Sequence, residues 1–158
     1  MRNWLAALAL TAVACGGGGQ TGGQQAQPPA TPAGGQPASQ AASPATGTVH
    51  EVKMELKDGK YQYDPASLTI KVGDTVKWIN FSGGPHNVSF YQDKIPSGAA
   101  DVLNAAMPNR MGPLSSPLLT DSLGTYQVSF ASAPPGTYGY YCLPHEALGM
   151  KGTLTVEK

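Results

Sequence analysis

"YYCLPHEALGMKG", Tyr140 to Gly152, places one cysteine, one histidine and one methionine within nine residues. The whole chain has two cysteines, three histidines and five methionines, so this clustering needs a reason. Upstream, Tyr138, Tyr140 and Cys142 alternate with Gly139 and Tyr141, and on an extended strand the first three share the inward face. Pro144 stops the strand and bends the chain, which lets His145 turn back toward the cysteine sulfur. "EALG" then closes a loop, and Met150 arrives as the next alternating run, "GTLTV", begins. One turn thus presents three soft or borderline donors.

Outward from this turn the chain reads as short alternating runs. In "VKMEL" Val52, Met54 and Leu56 point one way and Lys53 and Glu55 the other; in "SLTIKV" Leu68, Ile70 and Val72 alternate with Thr69 and Lys71. "TVKWIN", "TYQVSF" and "TYGYYC" behave alike, with "KDGK", "VGD" and "PPGT" as turn signals between runs. This pattern predicts an antiparallel all-β sandwich or barrel of about 110 residues, beginning at Thr48. The exception is Tyr91–Gly124, where alternation is weak, "AADVLNAAM" suits a short helix, and the Pro-rich remainder reads as loop.

The N-terminal third is a different polymer, with no charged residue between Arg2 and Glu51. "MRNWLAALALTAVAC" has an early basic residue and an apolar run from Trp4 to Ala14, too short for the roughly 20 residues a bilayer span needs but suited to a secretory signal. Residues 1–14 are therefore expected to be a signal peptide. The "AVAC" ending resembles a bacterial lipoprotein cleavage site, although Ala12 stands where such sites usually have Leu; it implies a lipid on Cys15. An ordinary secretory signal, with Cys15 incidental, is the alternative. Residues 15–47, rich in Gly, Gln, Ala, Pro and Ser, cannot bury enough apolar surface to fold and should form a disordered tether with a root-mean-square span of roughly 30 Å. Ten basic against ten acidic residues argue against nucleic acid as a partner.

With Cys15 committed to the signal or to lipid, Cys142 has no disulfide partner, and an unpaired thiol in an exported chain is either an inert core residue or a ligand. "FSGGPHNVSF" supplies a fourth donor, His86, at the start of a strand after a Gly-Gly-Pro loop. One thiolate, two imidazoles and a weak thioether make the trigonal set with a long axial Met expected of blue copper. Zinc would accept the Cys and His but gain little from the Met.

Here the chain from Val52 to Val156 resembles the plastocyanin branch of the cupredoxins. "YYCLPHEALGM" fits the family's C-x-P-H-x-x-x-G-M ligand loop, "GGPHNVSF" and "DKIPSG" its first-histidine strand and sequel, and "DGKYQYDPASLTIKVGDTVKW" its opening strands. The resemblance implies a Greek-key β-sandwich over 48–158 and one copper ion held by His86, Cys142, His145 and Met150. It also implies that Asn87 ties the two ligand loops together near the sulfur, while Pro144 stiffens the loop and denies it a backbone donor. The sequence departs from the family in the lengthened Tyr91–Gly124 segment and at Glu146, Ala147 and Leu148.

The other candidates are weaker. His50, beside Glu51, reads as a surface histidine, and Met54 as core. Met107 and Met111 are alternative axial donors. Tyr138 suits either a tyrosine-corner hydrogen bond or plain packing. Asn80-Phe-Ser82 and Asn87-Val-Ser89 match glycosylation sequons without suiting that role. No Ser/His/Asp set, carboxylate pair or phosphate-cradling loop is present, and three histidines are too few for a multicopper oxidase or copper nitrite reductase. The expected function is therefore not enzymatic. It is a monomeric one-electron shuttle, tethered to a membrane through Cys15 on the exported side, between a redox donor and an acceptor. A copper-holding or delivery lipoprotein is the alternative, and a zinc-bound or metal-free interaction module the third reading. Eukaryotic plastocyanins carry an acidic cluster after the first-histidine strand; here "YQDK" has one acid and one base. Removal of Arg2 would leave a net charge of about −1, so steering should be weak. Electrons are expected to leave at the His145 edge through an apolar patch of Leu148 and Tyr61, with Tyr141 the second route.

Overall fold

The structure, a computed structural model, describes residues 47–158. The expected signal, the lipid site at Cys15 and nearly all of the tether lie outside the described residues. Among the described residues, eight strands form two four-stranded sheets. The first runs β2 (Lys60–Asp64), β1 (Val49–Lys57), β4 (Thr75–Asn80), β6 (Thr125–Ser129). The second runs β3 (Ser67–Lys71), β8 (Lys151–Glu157), β7 (Gly136–Tyr141), β5 (Ser89–Phe90). Among the described residues no helix is long and apolar enough to cross a membrane.

The β1–β2 hairpin follows from "KDGK": Asp58 and Gly59 have φ of 50° and 74°, the two positive values that a two-residue turn matching strand twist demands. After β2 the chain crosses to the second sheet for β3, then returns beside β1. This crossover makes β1–β4 a parallel pair, and β3–β8 is parallel as well. The sandwich is therefore mixed, not purely antiparallel. Alternation along single strands predicts which side chains point inward but says nothing about the direction of a neighbour.

Inward residues of both sheets meet around Trp78, which is fully buried with Phe90 and Tyr140 edge-on to it at 6.3 and 5.7 Å. Truncating such a ring costs about 3–5 kcal/mol. Gly152 faces Tyr140 across β7–β8, and a Cβ there would lie 2.3 Å from the tyrosine ring, so glycine alone leaves that ring its place. Two expectations from alternation fail at strand ends. Leu56 is 41% exposed while Glu55 is buried and accepts a hydrogen bond from Gln62 Nε2 at 2.9 Å, its cross-strand partner. Val72 is also exposed, because β3 ends at Lys71 and leaves it in the following turn.

The expected helix is α1 (Ala99–Ala106), which buries Ala99 and Leu103 and leads into buried Met107. The Pro-rich remainder is less free than a loop. Main-chain bonds join His86 to Leu119 in both directions, Ser116 N to Val88 O and Phe90 N to Leu114 O, so this segment pairs irregularly with His86–Phe90. Asn80, buried at the end of β4, donates through Nδ2 to the carbonyls of Leu119 and Asp121, both at 2.9 Å.

Where the described chain begins, Asp74 accepts from the backbone N–H of Thr48 (2.8 Å) and Lys71 (3.0 Å) and pairs with His50 Nε2 at 2.8 Å. His50 is thus a partner in a buried-carboxylate knot, not a free surface histidine. The Lys71 amide, then His50, then Thr48 hold the Asp74 carboxyl below its ordinary value against the opposing effect of burial. A carboxyl lowered by folding stabilises the fold above its unfolded pKa and stops doing so as pH falls through the folded value. Asp74→Asn should cost about 2 kcal/mol at neutral pH. Its denaturant midpoint should also change less than the parent's as pH falls through the carboxylate range; parallel midpoint–pH curves would refute this.

Candidate metal centre

Cys142 is the first residue past β7, on the parity of Tyr138 and Tyr140, and like them it is buried. Leu143–Leu148 form a 3₁₀ turn with Pro144 in its first turn, where a missing N–H is harmless. The turn ends at Gly149, whose φ of +88° favours glycine. Three main-chain bonds close the loop on itself: His145 N to Cys142 O at 3.0 Å, Met150 N to His145 O at 3.1 Å and Cys142 N to Met150 O at 3.1 Å. The backbones of the three clustered donors therefore form one ring.

His86 reaches the same point from the other side. Its strand, β5, begins three residues later than the sequence suggested, at Ser89; His86 itself sits in the isolated bridge to Leu119. Its Nε2 lies 2.9 Å from Ser82 O, and since a carbonyl only accepts, that nitrogen carries the proton and Nδ1 offers a lone pair. Nδ1 lies 3.2 Å from His145 Nδ1 and 3.6 Å from Cys142 Sγ, and His145 Nδ1 is 3.5 Å from the same sulfur. A point equidistant from the three atoms is about 2.0 Å from each, a metal–nitrogen bond length and slightly short for metal–sulfur. His86, Cys142 and Met150 are fully buried and His145 is 8% exposed.

Burial sets the protonation states. It holds both imidazoles below the ordinary histidine value, helped at His145 by the neighbouring His86, so both are neutral at pH 7. It pushes the Cys142 thiol up, against the pull of the backbone N–H groups of Asn87 and His145. Two neutral imidazoles and a desolvated sulfur, with one ring nitrogen of each histidine converging on the sulfur in a dry interior, suit a soft or borderline cation. The Ser82 carbonyl is the usual kind of outer partner for a metal-binding histidine. The residues present fit copper.

The surroundings hold this arrangement. Asn87, fully buried, accepts the Leu143 N–H on Oδ1 at 2.7 Å and donates through Nδ2 to Ser89 and Ser115 Oγ at 3.0 and 3.2 Å. It joins the His86 segment to the Cys142 loop. Tyr61 stacks on His145 with centroids 3.8 Å apart and planes 7° apart. Tyr91 OH donates to Glu146 Oε1 at 2.6 Å, fastening the loop to the segment after β5. Leu148 is 62% exposed at the end of the turn, and Leu143, which sequence reasoning passed over, is exposed at its start. Tyr141 is half-buried, with Tyr91 over it at 4.4 Å and Lys94 Nζ 4.2 Å from the Tyr91 ring. Met107 lies in the core, and Met111, 53% exposed, has its sulfur 4.0 Å from Asn87 Nδ2. Tyr138 donates to Pro134 O at 2.5 Å, the hydrogen-bonded alternative for that residue.

Comparison with known proteins agrees with this geometry. Residues 50–157 match the family of copper binding proteins described as plastocyanin/azurin. The plastocyanin of Scenedesmus fuscus is 42% identical over 106 residues, covering 67% of this chain and 97% of that protein. The plastocyanin of Synechococcus sp. strain JA-2-3B'a(2-13) is 41% identical over 114 residues, covering 72% of this chain and 77% of that protein. A mutant fern plastocyanin solved in oxidised and reduced forms superposes with a TM-score of 0.52 at 30% identity, over 68% of this chain and 100% of that one. The chain belongs to the plastocyanin/azurin family of copper-binding proteins, and its fold is the two-sheet cupredoxin sandwich.

Cys142→Ser should leave the sandwich folded, because the aromatic core lies behind the site, yet abolish any intense visible absorption of the copper-loaded protein. An intense band surviving in that variant, measured with far-UV circular dichroism as the folding control, would exclude Cys142 as the thiolate donor.

Proposed function

We propose that this chain is a one-electron carrier, not an enzyme, tethered to a membrane on the exported side. His86, Cys142, His145 and Met150 would hold the metal. The observation that carries the reading is the buried triangle of two imidazole nitrogens and a thiol sulfur with sides of 3.2, 3.5 and 3.6 Å. Bound copper supplies the one-electron couple. The residues supply constancy: the ring of main-chain bonds, the Asn87 clasp, Pro144 and the Tyr61 stack restrain the donors from relaxing toward the geometry that either oxidation state would choose alone. A site restrained in this way needs little reorganisation when an electron passes. Met150, buried and joined by its backbone to both Cys142 and His145, is better placed to supply the thioether donor than exposed Met111 or core-bound Met107.

The tether rests on sequence. The apolar run ending in "AVAC" supports export and a lipid at Cys15, and the Gly/Gln/Pro/Ala stretch supports a flexible leash from which the monomeric domain, 48–158, could meet a donor and an acceptor in turn. Both partners are expected to be redox proteins. The exit is the His145 edge, beside exposed Leu148 and Leu143. Tyr141 is a poorer second route than the sequence suggested, since the Tyr91 ring covers it.

The reading is tested by reconstituting the soluble domain with Cu(II) and recording its visible spectrum and voltammetry. An intense thiolate-to-copper band with a reversible couple supports a carrier; a bound ion without a reversible couple would favour copper holding or delivery. Met150→Leu should keep the colour and raise the potential, because loss of a weak donor disfavours Cu(II) more than Cu(I). An unchanged potential would transfer the role of fourth donor to another group. Leu148→Asp should slow bimolecular electron transfer to a small haem protein while leaving the spectrum nearly unchanged, and the parent rate should depend only weakly on salt. Equal rates for parent and variant would move the exit away from the loop.

A further inference from the structure

Tyr63 is a tyrosine on an inward-facing position of β2, 1% exposed, where a hydroxyl has no water to bond. Its ring packs edge-on against Tyr140 at 4.7 Å, and its hydroxyl donates to the main-chain carbonyl of Asn87 at 2.7 Å in a fully buried bond. Phenylalanine would pack the same ring against the same neighbour, so the oxygen, not the ring, needs explaining. The residue it holds is the one that joins the two donor loops: Asn87 follows His86 directly, and its Oδ1 accepts the N–H of Leu143, which follows Cys142 directly. Ser89 and Ser115 fix the other end of the Asn87 side chain. They leave its main-chain carbonyl to Tyr63.

We propose that Tyr63 is a positioning residue for the copper site: its buried hydroxyl sets the pose of Asn87 and, through Asn87, the spacing between the His86 segment and the Cys142 loop. A buried carbonyl deprived of its donor turns to find another. At Asn87 such a turn moves the side chain that receives Leu143 and the backbone N–H that lies toward the Cys142 sulfur. Weaker N–H donation leaves the thiolate richer in electrons, which favours Cu(II). The first sheet, through one oxygen atom on β2, thereby tunes donors carried by segments outside it. This inference rests on the ligand set proposed above.

The test compares Tyr63→Phe with Tyr138→Phe, which removes the hydroxyl of another buried tyrosine, bonded to Pro134 O. Three quantities are read on the folded domain: the copper reduction potential, the position of the thiolate-to-copper band, and hydrogen exchange of the Leu143 amide in the copper-free protein. In Tyr63→Phe the potential should fall, the band should move, and Leu143 exchange should quicken about tenfold. In Tyr138→Phe thermal stability should drop while all three stay at parent values. If Tyr63→Phe only loses stability, with potential, band and Leu143 exchange as in the parent, the proposal is overturned and the copper reading stands. If the parent shows no intense band, the copper reading is overturned; faster Leu143 exchange in Tyr63→Phe would still support the hydroxyl as the clasp on Asn87.

Discussion

Three electron-rich atoms face one another across 3.2–3.6 Å in a part of the protein that excludes water. Without a scaffold the three side chains would each be free to turn toward solvent. Much of the architecture around this end of the sandwich resists that. The ligand loop is closed by its own main chain, so Cys142, His145 and Met150 move together or not at all. His86 is anchored through its far nitrogen to Ser82 and through its backbone to Leu119. The two halves are then fastened by one buried asparagine. The same convergence makes the site receptive to a cation, which would displace the thiol proton and take all three atoms as donors.

The long segment after β5 belongs to this scaffold. Its bonds to His86, Val88 and Phe90 extend a strand that is itself only two residues long, and Ser115 reaches from it to Asn87. A segment that looks like an elaboration in the sequence is thus built into the wall behind the first histidine. Glu146, another departure from the family pattern, has a matching partner in Tyr91.

How far the sequence can be read depends on whether the relevant physics is local. The inward parity of Tyr138, Tyr140 and Cys142, the Asp-Gly hairpin and the turn at Pro144 are consequences of neighbouring residues, and the structure shows them as expected. The convergence of His86 on the Cys142 loop could be anticipated because donor chemistry narrows the partners. What could not be anticipated involves residues brought together by the sheet. Glu55 is buried because Gln62 lies opposite; His50 finds Asp74 across 24 positions; Tyr63 finds the Asn87 carbonyl across another 24. The parallel pairs were hidden for the same reason. An inward tyrosine where phenylalanine would pack equally well is a signal that a buried acceptor exists, but it does not name that acceptor.

The parallel pairing of β1 with β4 has a mechanical consequence. β1 is the first strand of the described chain, yet it lies inside its sheet, gripped by β2 on one side and β4 on the other, with its entry knotted at Asp74. The last strand, β8, is likewise interior, between β3 and β7. Tension entering along the chain at Gly47 would therefore run parallel to β1 and load its cross-strand bonds in shear. Those bonds would have to yield together; they could not peel one at a time as at an edge. A pull along the chain at this end would reach the His86 loop only after crossing the length of β1, at Leu56, whose N–H bonds the same Ser82 carbonyl that orients His86.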